Sequence, residues 1–126
     1  MKGLSDMTNQ LLIYVAGPLS APTEAELVAN HDAACAAGKA ILDRGHWALI
    51  PHLTLAYDTW HEEAHGAPGD YEQYLAWGFA LLARCDALLY LAPSPGADRE
   101  LAEAERLGLP VYRAVEEIPA VRAEAA

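Results

Sequence analysis

A chain of 126 residues is the size of one domain, and at 53% hydrophobic it can bury a core without disulfides or a structural metal. Its formal net charge of −10 excludes DNA and RNA polymers and anionic membranes as partners, because those surfaces are held by clustered Lys and Arg. A small nucleotide stays open, since a few backbone N–H groups can hold one phosphate.

Residues Met1 to Gln10 lack the basic start, apolar stretch and cleavage site of a secretory signal, and read as a flexible tail. No apolar run reaches the roughly 18 residues of a membrane span, so a cytoplasmic location is expected. Leu11 to Ala16 is a short run of strand formers stopped by Gly17-Pro18. Its unbroken apolar character predicts a strand covered on both faces. Thr23 to Arg44 is a predicted helix, opened by a Thr23/Glu26 capping pattern and closed by Gly45. Trp47 to Ile50 is a second strand, and His52 to Gly69 a long irregular loop with room for one helical turn. A second helix runs from Asp70 to Arg84 and a third strand from Ala87 to Leu91. Pro93 to Gly96 is a tight loop, Asp98 to Leu107 a third helix stopped by Gly108 and Pro110, and Val111-Tyr112 opens a fourth strand. Val115 to Ile118 fits one helical turn, and residues 119–126 a C-terminal tail. Cys35 and Cys85, each in an apolar helical stretch, read as buried free thiols in a reducing compartment.

This alternation predicts a single α/β domain over residues 11–118, Rossmann-like or flavodoxin-like. Its parallel sheet of four to five strands has helices on both faces and right-handed crossovers. With strand order 2-1-3-4, the ligand crevice lies between strands 1 and 3. The Gly17-Pro18 loop and the Pro93 to Arg99 loop are then its two lips.

Helical spacing puts Ala97, Leu101, Ala104, Leu107 and Gly108 on one sheet-facing arc of the third helix. Glu100 falls inside that arc, the one charged residue this helix turns inward. A carboxylate facing a core needs a partner or a purpose. In the first helical turn the dipole favours its ionised form, which suits nucleophilic attack on a sugar. The same position fits a carboxylate that only caps its helix or pairs with Arg99 or Arg84.

Tyr14-Val-Ala-Gly17-Pro18, Cys85-Asp86-Ala-Leu-Leu and Ser94-Pro-Gly96-Ala97-Asp-Arg-Glu100 resemble the nucleoside 2-deoxyribosyltransferase superfamily, as do Ala104 and Leu107-Gly108-Leu-Pro110-Val-Tyr112. The resemblance spans residues 11–112 and includes the related nucleoside 5′-monophosphate N-glycosidases. It implies that Glu100 attacks C1′ to form a glycosyl-enzyme, with no metal and no organic cofactor. It further implies that Ser94 helps hold a 5′-phosphate, as in the hydrolase branch, and that the chain is at least a dimer. Gly17, Pro18, Gly96 and Ala97 line the expected substrate cleft. Tyr14 either contacts the nucleophile or packs as a core tyrosine. The base-binding aspartate of the transferases is missing, its place taken by Trp77-Gly78-Phe79. Asp58 and Asp70 are the candidates for the missing acid, and Asp86 is expected to be structural.

Tyr57, Trp60, Tyr71, Tyr74 and Trp77 gather around the long loop, suited to stacking on a base, but core packing or a subunit interface is expected for at least three. His52 sits at the ligand edge, as a substrate contact or a surface or capping histidine. His61-Glu62-Glu63-Ala64-His65 spells H-E-x-x-H, the zinc-hydrolase pattern. Gly66, Pro68 and Gly69 follow at once, so a solvated turn is the preferred reading, with Asp70 the one third ligand on offer. The alternatives to a glycosidic enzyme are a non-catalytic nucleotide-binding module in the same crevice and a zinc-dependent hydrolase through His61 and His65.

Overall fold

A computed structural model describes residues 9–121. The elements are β1 (Leu12–Ala16), α1 (Glu24–Asp43), β2 (Trp47–Leu49), a 3₁₀ turn (Pro51–Thr54), α2 (Leu55–His65), α3 (Tyr71–Leu82), β3 (Ala87–Tyr90), α4 (Pro95–Leu107), β4 (Val111–Tyr112) and a closing 3₁₀ turn (Val115–Glu117). The four strands form one all-parallel sheet in the order β2-β1-β3-β4, the order expected. No helix among the described residues is long and apolar enough to cross a membrane.

Alternate residues of the central strands serve two cores, because successive side chains of a strand point to opposite faces. Ile13, Val15, Ala87 and Leu89 meet Ala34, Ala37 and Ile41 of α1, closed off by Ile118. Tyr14, Ala16 and Leu88 meet Leu82, Cys85, Ala97 and Ala104 on the α3–α4 side. This division explains why β1 is apolar throughout. It also fixes the direction of the one β1 residue with a polar tip: Tyr14 points toward α3 and α4.

Two expected elements change. The stretch from His52 to Gly69 is mostly helix, not loop. Thr54 precedes the 11-residue α2, which ends where Gly66 enters the left-handed region at φ 75°. The weak apolar patterning that suggested a loop reflects a helix with no buried residue. The third predicted helix, now α4, begins at Pro95 rather than Asp98. Ser94 is its N-cap, its hydroxyl accepting from the Ala97 N–H, and Pro95 supplies the pre-set first position. Leu107 and Gly108, placed on the inward arc by spacing, are exposed at the end of the helix. Glu103, placed outside it, is partly covered and bonded to Arg106. The capping pattern at α1 is present, with Thr23 Oγ1 accepting from Glu26 N.

The first and last described segments, Gln10–Leu11 and residues 118–121, are tied at the end of the sheet opposite the crevice. His46 is buried there. Its Nδ1 accepts from the Leu11 N–H, so its other nitrogen carries the proton that faces the Pro119 carbonyl. Arg44 donates to the Ile118 carbonyl, Val121 N–H donates to the Arg44 carbonyl, and Gln10 donates to the Gly45 carbonyl. The first three residues of the expected C-terminal tail therefore lie against the domain. The rest of both expected tails lies outside the described residues. Cys85 is buried and Cys35 half-buried, both free. Asp86 is structural as expected: its side chain accepts from the Leu12 N–H at 2.8 Å, bracing β3 against β1.

Candidate active site

The loops after β1 and β3 face one another across a cavity of about 680 Å³, a size suited to a small organic ligand. Gly17 lines it from the first loop, and Ser94, Gly96 and Ala97 line it from the second. Strand order reverses between these two strands, which splays their loops apart and opens the crevice. Its walls come from α2, α3 and the segment that follows β1.

Glu100 and Tyr14 meet at the floor. The Tyr14 phenol donates a hydrogen bond to Glu100 Oε2. Tyr14 is fully buried, and Glu100 is partly buried but lines the cavity. The expected inward turn of Glu100 is thus realised, and its partner is a tyrosine rather than Arg99 or Arg84. Arg99 pairs with Glu72 instead, at 3.3 Å.

The charge state differs from the sequence expectation. Because α4 starts at Pro95, Glu100 occupies the second turn, where the dipole field has faded. Burial dominates and pushes the carboxyl up from the usual 4.5 to about 7, against a smaller downward pull from the Tyr14 hydrogen bond. Burial, then the adjacent carboxylate, holds the Tyr14 phenol far above its ordinary range, so it remains a donor. The pair is a protonated phenol beside a carboxyl balanced between its two forms near neutral pH.

Gly78 makes this contact possible. A Cβ there would stand 2.9 Å from the Tyr14 phenol oxygen and 3.4 Å from Glu100 Oε2. In sequence, Trp77-Gly78-Phe79 stands only where the transferases carry an aspartate. The one available signal was a glycine in a helix interior, which costs stability and so asks for a packing reason.

His52 is buried, not a surface residue. Its Nε2 lies 2.8 Å from the Pro18 carbonyl, and its Nδ1 has no partner. Burial lowers its pKa and favours the neutral ring, with Nε2–H donating to the Pro18 carbonyl and Nδ1 buried without a partner. Pro18 is outside the lining and acts through that carbonyl. Gly17 lines the cavity, and a Cβ added there would stand 3.3 Å from the Leu91 Cβ.

The two candidate acids separate. Asp58 lines the cavity, its Oδ1 accepting from the Tyr74 phenol at 2.8 Å and the Gly69 N–H at 3.2 Å. Asp70 is the N-cap of α3, accepting from Glu72 N, and does not line the cavity. Core packing fails for the aromatic group: Tyr57, Trp60, Tyr71 and Trp77 are all exposed. Tyr71, Tyr74 and Trp77 line the cavity mouth.

His61 and His65 stand one turn apart on α2, His65 in its last turn, so the helical context expected to be missing is present. Their ring centroids are 4.9 Å apart, and His61 Nδ1 is 2.9 Å from the Ala67 carbonyl. Among the described residues no cluster of three or more His, Cys, Asp or Glu side chains is placed to hold a metal ion.

Fold and site together define a small Rossmann-like domain with a carboxyl–phenol pair at the base of its switch-point crevice. Comparison with protein-family models, with curated proteins and with solved structures finds no match for the chain.

Two outcomes follow from this geometry. Gly78→Ala forces the buried phenol away from Glu100 and is expected to cost about 1–3 kcal/mol in urea unfolding. Glu100 holds its proton more tightly folded, at about 7, than unfolded, at 4.5. Its contribution to stability is therefore full below 4.5 and is lost as pH rises through about 7. Glu100→Gln does not suffer that loss. Relative to the parent it should gain as much as about 3 kcal/mol between about pH 4 and pH 8, read by urea unfolding at both.

Proposed function

We propose that this chain cleaves or transfers at the N-glycosidic bond of a (deoxy)nucleoside or nucleoside 5′-monophosphate. The observation that carries the proposal is the Glu100 carboxyl, held by Tyr14 at the floor of a ligand-sized crevice. The resemblance to the nucleoside 2-deoxyribosyltransferase superfamily supports it, since the residues quoted for that resemblance include both members of the pair.

In its ionised form Glu100 attacks C1′ through the oxygen left free by Tyr14. The C1′–N bond breaks as the C1′–O bond forms, and its electron pair leaves with the base. The transition state has oxocarbenium character, which a nearby carboxylate stabilises. Tyr14 fixes the orientation of Oε2 and holds its negative charge until attack. Water then adds to C1′ as the C1′–O bond to Glu100 breaks, which returns the carboxylate. The proton the water loses makes up the one the departed base takes on. In transfer the nitrogen of a second base adds to C1′ and gives up its N–H proton in the same way. Asp58, on the wall, is the acceptor suited to N–H groups of the base. The aromatic side chains at the mouth offer faces for stacking on it. The exposed patch of Tyr57, Trp60 and Trp77 supports assembly into a homo-oligomer beside the crevice.

A chromatographic screen for free base tests the proposal, with and without an acceptor base. Base release should fall by about 10³-fold or more in Glu100→Ala while the fold is kept. For the parent, kcat/KM should rise with pH through about 7 and level off above it, as the carboxylate form accumulates. Tyr14→Phe removes the bond that lowers this pKa, so the rise should move to higher pH. Tight nucleotide binding with no base release would replace the enzyme by a binding module.

A further inference from the structure

We propose that His61 and His65 make up a surface site for a late first-row divalent metal ion (Ni²⁺, Cu²⁺ or Zn²⁺), separate from the crevice. Two side chains four residues apart on a helix are neighbours on one face. Gly66, Pro68 and Gly69 predict a break, yet α2 runs on through His65 and ends only at Gly66. The two rings stand 4.9 Å apart, centroid to centroid, and are tilted by 45° rather than stacked. Imidazole nitrogen is a donor that these ions favour, at about 2.0–2.1 Å for zinc.

The backbone prepares one of the two ligands. Gly66 turns the chain back at φ 75°, and the Ala67 carbonyl comes to 2.9 Å from His61 Nδ1. A carbonyl only accepts, so His61 carries its proton on Nδ1, and its Nε2 lone pair is left to bind a metal. Metal-binding histidines are held in this way, by an acceptor on the ring nitrogen that faces away from the ion. His61 is half-buried and His65 exposed, so the ion enters from solvent, and water completes its shell. Neither ring lines the cavity, so the site stands or falls apart from the glycosidic reading.

The net charge of −10 offers a rival, diffuse attraction for any cation, and ligand chemistry separates the two. Carboxylates suit Mg²⁺ and Ca²⁺, whereas imidazole suits the later transition ions. Trp60 supplies a local reporter, its ring edge-on to that of His65 with 5.6 Å between centroids.

The test is calorimetric titration of the untagged chain with NiCl₂, in a non-chelating buffer with excess MgCl₂, while tryptophan fluorescence is followed in parallel. Nickel is the probe because Cu²⁺ would oxidise the free thiol of Cys35. One ion is expected to bind per chain, with affinity falling from Ni²⁺ to Co²⁺ to Mn²⁺ and fluorescence quenched on binding. His61→Ala and His65→Ala, each checked for its fold by circular dichroism, are expected to lose about tenfold or more in affinity. Trp60→Phe is expected to keep the affinity and lose most of the quench. Unchanged affinity in either folded histidine variant overturns the site, as does displacement of Ni²⁺ by Mg²⁺ or an absence of binding.

Discussion

The structure is organised around a hydrogen bond between a phenol on the central strand and a carboxyl on the helix that follows the neighbouring strand. That bond fixes how α4 is rotated against the sheet on the α3–α4 side. It requires a β1 residue that is buried yet polar at its tip, and Tyr14 meets both conditions. It requires α3 to pass without a side chain at the contact, which Gly78 provides. The bond sits where water is scarce, so the carboxyl is neither a resting anion nor a permanent acid.

The layout was legible because its signals are local and repeated. Unbroken apolar strands, glycine and proline stops and helical spacing carry both the four-stranded order and the inward turn of Glu100. What stayed illegible depends on contacts distant in sequence. Gly78 has meaning only when Tyr14 and Glu100 are beside it. His52 becomes buried because the Pro18 carbonyl folds over to meet it, 34 residues away in the chain. Helix α2 was hidden because it buries none of its residues, so its composition resembles that of a loop. The start of α4 was misplaced because Ser-Pro-Gly spells a turn and a helix start equally well.

Electrostatics give the crevice its character. The chain carries ten excess negative charges, yet its most buried acid is the one that most readily keeps a proton. The other acid on the cavity wall, Asp58, is already engaged, its Oδ1 accepting from the Tyr74 phenol and the Gly69 N–H.

The bond between Tyr14 and a desolvated Glu100 is tested most directly by following the Glu100 carboxyl carbon by NMR through a pH titration of the unliganded protein. The account predicts a midpoint at about 7. A midpoint near the usual 4.5 would place that carboxyl in open water and contradict it.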